Sequence, residues 1–249
     1  MEEKKKKDEN KKKNYKKYWV ILIVVLILIG IIVFAITRHI ELNREIQWNT
    51  PVEPIITQED RDRQRLTPMK PIIYLYPEEE TELTVKLGNP DKVVCSYPKY
   101  KDGWNVIARP DGTMTDIETK RELYSLYWEG KEMPSQETNK GFVIKGEDTI
   151  SFFEEKLKIL GLNERETEEF IIYWLPQMQD NKYNYIRFAT MEEINEYMPL
   201  EISKKPDTLI RILMEFRPLE EYKELEEQKL IPATERTGFT VVEWGGSKI

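Results

Sequence analysis

Hydrophobic and polar positions follow three rhythms along this chain. The first is an unbroken apolar run, YWVILIVVLILIGIIVFAIT, from Tyr18 to Thr37, without a single charge. Twenty residues at a helical rise of about 1.5 Å reach roughly 30 Å, the thickness of a bilayer's hydrocarbon core. A lone segment in lipid must be helical to satisfy its own backbone. The run therefore predicts a transmembrane helix over 18–37, with Tyr18 and Trp19 at the interface. A cleaved signal peptide has an apolar core of about 7–15 residues and a small-x-small site. This core is longer, and Phe34-Ala35-Ile36-Thr37 is a poor site.

The second rhythm has a period of two. Leu83, Val85 and Leu87 share one face of Glu82–Leu87, with Thr84 and Lys86 on the other. That alternation marks a half-buried antiparallel strand. Ile72–Tyr76, Val93–Tyr97, Trp104–Arg109, Thr113–Ile117 and Glu122–Trp128 read as further short strands. Gly88-Asn89-Pro90-Asp91 and Pro110-Asp111-Gly112 supply turns between them. Tyr183–Ala189, Leu200–Ser203, Leu209–Phe216 and Phe239–Trp244 resume the pattern, with Ile210, Ile212, Met214 and Phe216 on one face.

The third rhythm has spacings of three and four. Ile150, Phe153, Leu157 and Leu160 predict a helix that Asp148 or Thr149 caps and Gly161 ends. Asn163 and Glu166 form a capping box for a second helix, with Ile171, Trp174, Leu175 and Met178 as its core stripe. Thr190 and Glu193 cap a short helical turn, and Tyr222–Lys229 reads as a charged surface helix or turn. Strands interrupted by a helical pair predict an α+β domain with mainly antiparallel pairing over 69–249. The organisation expected is a basic cytoplasmic tail (1–17), a transmembrane helix (18–37), a proline-broken stalk (38–68) and that domain.

Charge sets the expected topology. The tail holds nine lysines against four acids, a net +5, which leaves −12 for the rest of a chain whose total is −7. Only Arg38 and Arg44 follow the apolar run closely. The positive-inside rule then places the N-terminus in the cytoplasm, the domain outside, and the bilayer as a partner through 18–37. An acidic domain argues against nucleic acid as a ligand.

Composition narrows the chemistry. The single histidine, His39, lies at the end of the apolar run, and Cys95 is the single cysteine. That excludes a disulfide, Ser-His-Asp and Cys-His catalysis, and most catalytic zinc sites. Cys95 reads as a small buried hydrophobe on a strand. Asp111, Thr113 and Asp116, like Asp180, Asn181 and Asn184, miss the spacing of a calcium loop. With no phosphate-binding glycine loop, Rossmann fingerprint or nucleophile elbow, no cofactor or metal is expected.

The candidate site residues are aromatic and acidic. Trp104, Trp128, Trp174 and Trp244 offer flat apolar faces suited to sugar rings, against the alternative of core packing. Glu129 and Glu243 each follow or precede a tryptophan and a glycine in YWEG and EWGG. As a pair they would suit a glycosidase-like mechanism, which needs two carboxyl groups about 5–10 Å apart.

The segments KPIIYLYP, YPKY with a following GW, ARPDGTMTD, YSLYWEG, GFVIKGEDT, FIIYWLPQM and GFTVVEWGG, in this order, resemble a family of uncharacterised proteins from Gram-positive bacteria. The resemblance spans roughly 70–246. It implies one extracytoplasmic domain, often behind an N-terminal hydrophobic segment, and no catalytic residue. The function expected is a single-pass membrane-anchored domain that binds a glycan or protein outside the cell. The alternatives are a tethered carboxylate-based hydrolase acting on envelope glycans and an accessory subunit of an envelope complex.

Overall fold

The computed structural model describes residues 26–41, 70–131 and 139–249. The chain divides into two units, 1–57 and 58–249. In the first, a helix α1 covers 26–41. Thr37 Oγ1 donates back to the carbonyls of Val33 and Phe34 at 3.1 and 2.9 Å, a local closure that any exposed helix can make.

The expected transmembrane anchor requires correction. Of the expected span 18–37, only 26–37 falls among the described residues of α1. The last turn also carries Arg38, His39 and Glu41. Among the described residues, no helix is long and apolar enough to cross a membrane. Single-pass anchoring with an outside domain is therefore not supported. The tail at 1–17, the first part of the expected span at 18–25 and the stalk at 42–68 lie outside the described residues.

The second unit is mostly sheet. Its strands are β1 (Ile72–Tyr76), β2 (Thr81–Leu87), β3 (Val93–Tyr97), β4 (Trp104–Ala108), β5 (Met114–Asp116), β6 (Glu122–Leu123), β7 (Leu126–Gly130), β8 (Lys140–Lys145), β9 (Tyr183–Phe188), β10 (Leu200–Ile202), β11 (Thr208–Leu219), β12 (Glu226–Glu227) and β13 (Thr240–Lys248). The helices are α2 (Thr149–Ile159), α3 (Glu164–Met178) and α4 (Met191–Tyr197). A large sheet runs β12-β8-β9-β11-β13-β1-β7-β3, and a small one β10-β2-β4-β5-β6.

The expected α+β class with mainly antiparallel strands is corrected to a mixed α/β fold. Its longest ladder is parallel: β11 pairs β13 from Thr208↔Thr240 to Phe216↔Lys248. A parallel pair needs a long crossover, and residues 220–239 supply it. Alternation reports which faces of a strand are buried; the direction of the neighbouring strand follows from the connection between the two.

Two cores sandwich the large sheet. On one face Ile73, Leu75, Leu126, Trp128, Leu213 and Val241 meet Leu83, Val85, Leu87, Trp104 and Val106 of the small sheet, with Ile194 and Tyr197 of α4. On the other face Tyr74, Ile210, Ile212, Met214, Phe216 and Trp244 meet Phe153, Leu157, Phe170, Trp174 and Met178 of α2 and α3. Each fully buried apolar side chain contributes about 1.5–3 kcal/mol of transfer free energy, so both interfaces hold the layers firmly. A sheet covered on both sides explains why β13 is buried from Thr240 to Ser247.

Two expected elements differ. Glu122–Trp128, expected as one strand, is two: β6 pairs β5 in the small sheet, and β7 pairs β1 and β3 in the large one. The chain changes layers at Tyr124-Ser125. The segment expected as a surface helix or turn carries the short strand β12, paired parallel to β8.

Candidate functional site

The four candidate tryptophans are core residues. Trp104 is buried and donates from Nε1 to the Pro98 carbonyl at 2.8 Å. Trp128 is buried and donates to Glu243 Oε1 at 3.0 Å. Trp174 packs edge-on against Tyr173 and Phe216 inside the helix-side core. Trp244 is buried beside Phe170 and donates to the Tyr74 hydroxyl at 3.2 Å. None presents a ring face to solvent.

Glu129 and Glu243 do not converge. Along β7, Leu126 and Trp128 enter the small-sheet core, so Glu129 points to the opposite, helix-side face. Glu243 alternates with Val242 and Trp244 of the helix-side core and points toward the small sheet. There it is buried, receives Arg211 Nε at 2.6 Å and the Trp128 indole, and acts as an internal counter-ion. The two-carboxylate arrangement required for glycoside hydrolysis is absent from this pair.

Glu129 nevertheless belongs to a cluster. On the helix-side face, β1 presents Tyr74 and Tyr76, with stacked rings 6.4 Å apart. The inner side of α3 presents Glu166, Glu169 and Tyr173, spaced three and four apart. The Tyr74 hydroxyl donates to Glu169, and the Tyr76 hydroxyl donates to Glu166 at 2.8 Å. Glu166 is fully buried, closes the capping box with Asn163, and receives Arg236 Nη1 at 3.1 Å. Arg165 Nε reaches Glu169 at 3.0 Å and its guanidinium covers the Tyr124 ring at 4.7 Å.

Beyond α3, β7 and β3 leave an open ledge. Tyr97 faces Tyr127 across the ladder, and Cys95 faces Glu129. The Tyr127 hydroxyl donates to Glu129, both groups half-buried. Tyr97 is 51% and Tyr124 48% exposed. Cys95, expected in the core, lies exposed on this ledge, on the edge strand of the large sheet. The Lys70 ammonium lies 3.7 Å from the centre of the Tyr173 ring.

Electrostatics ties these groups together. Burial, followed by the bond to Glu169, pushes the Tyr74 phenol far above its ordinary value. Burial and then Glu166 do the same at Tyr76, and burial and then Glu129 at Tyr127. Tyr173 is raised by burial and by the Glu129 charge. Burial lowers the Lys70 ammonium, against the pull of Glu129 and Glu169. The phenols thus stay protonated as hydrogen-bond donors through the physiological range, and the carboxylates act as their acceptors. Among the described residues, no group of three or more His, Cys, Asp or Glu side chains could hold a metal ion.

The signal for the missed residues was present in the sequence. Tyr74 and Tyr76 alternate with buried Ile73 and Leu75, and Glu166, Glu169 and Tyr173 share a helical stripe. Glu169 is held under the helix by the Tyr74 hydroxyl.

No family model matches the chain, and no solved structure matches it. An uncharacterized protein in the bglA 3'region of Butyrivibrio fibrisolvens is 40% identical over 72 residues, which are 28% of this chain and 73% of that protein. At that identity and coverage, the chain belongs to the family of this Butyrivibrio fibrisolvens protein.

Proposed function

We propose that the domain is a binding module and that the ledge of β3 and β7 is its ligand site, for a hydroxyl-rich ligand of the glycan class. The observation that carries this reading is the half-buried Tyr127–Glu129 pair beside the exposed rings of Tyr97 and Tyr124. Aromatic rings offer flat apolar faces to the C–H patches of a sugar, and Tyr127 and Glu129 offer a donor and acceptors to its hydroxyls. The local charges of Lys70 and Arg165 offset those of Glu129 and Glu169, which suits a neutral ligand. The bacterial family that the sequence motifs resemble forms part of the same proposal.

The full chain, screened on a glycan array and then by calorimetry, tests this. Tyr127→Phe keeps the ring and removes the hydroxyl; Glu129→Gln removes the charge. Each should weaken glycan binding about tenfold or more, since hydrogen bonds to charged groups are worth about 1.5–3 kcal/mol, while the melting temperature holds. Glycan binding indifferent to both substitutions, or no glycan retained at all, would overturn the proposal.

A further inference from the structure

A second feature lies away from the ledge, where β11 loses a neighbour. β13 accompanies β11 from Thr208 to Phe216, but β9 joins its other edge only from Met214 onward. Among the described residues, no strand pairs with Thr208–Leu213 on that side. The Leu213 carbonyl accepts from Ala189 N–H at 2.8 Å, which fixes the direction of this edge. The N–H and C=O of one strand residue point the same way, and alternate residues point oppositely. Leu209 and Arg211 therefore aim their backbone donors and acceptors into the same gap.

The gap is a groove of about 290 Å3. Its apolar lining includes Met191, Leu209, Ile212, Leu230 and Ile231, and the Ile231 side chain is 84% exposed. The far wall, 228–234, is pinned at both ends. The Gln228 amide bonds the N–H and C=O of Phe188 at 2.9 and 2.7 Å, and Ala233 N–H donates to the Ile159 carbonyl at 2.9 Å. The groove is thus held open rather than closed by β9. The lining contains no carboxylate and two cations: Arg211, already bound to Glu243, and exposed Lys229.

We propose that this groove binds an extended peptide segment, which adds as a strand to β11 beside Leu209 and Arg211. Main-chain hydrogen bonds to an open edge supply affinity, and alternate side chains supply specificity. Three residues at about 3.3 Å each span roughly 10 Å, so a short segment fills the slot. Its chemistry follows from the walls: β-branched apolar residues at alternate positions, with an acidic residue toward Lys229.

The probe is a degenerate library of blocked hexapeptides, β-branched at alternate positions with glutamate at one end, added to the full chain. Amide hydrogen exchange should slow at Leu209 and Arg211 on binding. Lys229→Glu, on the exposed rim, should weaken binding about tenfold, as should N-methylation of the peptide amides, a change of about 1.4 kcal/mol each. Leu209→Pro removes a donor that faces only the groove and should have the same effect with the β13 ladder intact. Unchanged exchange at Leu209 and Arg211 at millimolar peptide, or equal binding of the N-methylated library, overturns the proposal. Protection of those amides that depends on protein concentration without peptide also overturns it, by placing a second copy in the slot.

Discussion

Arg211 is flanked by Leu209, Ile210, Ile212 and Leu213, and each nitrogen of its guanidinium has a partner. Nε bonds Glu243 at 2.6 Å, Nη1 bonds Asn195 at 2.6 Å and Nη2 bonds the Met198 carbonyl at 2.9 Å. Next to it Arg187 joins Glu215 at 3.3 Å and Glu193 at 2.5 Å. Burial alone would raise the Glu193 carboxyl, but Arg187 and Thr190 outweigh it and hold it below the ordinary range. Removing one partner of such a pair leaves an uncompensated buried charge. Arg211→Met should lower the unfolding free energy by about 3–5 kcal/mol, and adding Glu243→Leu should recover much of that. Equilibrium denaturation of both variants checks this, and a loss under about 1 kcal/mol for the single variant would mean that Glu243 reaches water. Glu243 drew attention in the sequence because it stands beside Trp244. Alternation alone puts it on the face opposite Trp244; its partner, 32 positions upstream, was not legible because cross-strand register is a tertiary fact.

The helical pair was the most legible element. Three-four spacing placed α2 and α3, and the Asn163–Glu166 box is present at α3, whereas Asp148 precedes α2 without a side-chain capping bond. The phase of α3 was not legible. FIIYWL is apolar nearly all round, so the expected stripe of Ile171, Trp174, Leu175 and Met178 and the observed burial of Glu166, Thr167, Phe170, Trp174 and Met178 fit it about equally. Tyr74 and Tyr76 decide the matter from β1 by donating to two glutamates on the inner side. The stop between the helices depends on Gly161, at φ +92°, where an added Cβ would lie 2.4 Å from Ala233 Cβ. Gly161→Ala combines left-handed strain with a clash against the wall of the β11 groove. It should cost about 1–3 kcal/mol, read as a fall in melting temperature; an unchanged melting temperature would show that the 228–234 wall yields freely.

At the scale of the whole molecule, most strands were legible as strands, but the layering was not. The same period of two describes β2, covered on one face, and β11, buried on both faces from Ile210 to Phe216. Only the pairing shows which sheet each strand joins, as the split between β6 and β7 illustrates. One consequence of the layering can be measured across the entire domain. Tyr74, Tyr76, Tyr127 and Tyr173 at the helix-side layer, and Tyr197 under the small sheet, all have raised phenols, Tyr197 pushed up to about 12 by burial. Below about pH 10 these groups are protonated in folded and unfolded chains alike, and their stabilisation is fully present. Above it the unfolded chain releases protons that the folded chain keeps, so stability falls as pH rises. Lys70 acts in the opposite sense. Its lowered value means that the unfolded chain holds the extra proton, so stability rises up to about pH 10.5. Five phenols against one ammonium leave a net loss of stability that begins near pH 10 and steepens beyond it. Absorbance titration at alkaline pH should therefore show these tyrosines ionising together with loss of the far-ultraviolet sheet signal. If all 13 tyrosines ionise near pH 10 while the sheet signal persists, the hydroxyl–carboxylate bonds that define the ledge and its inner row are not made in solution.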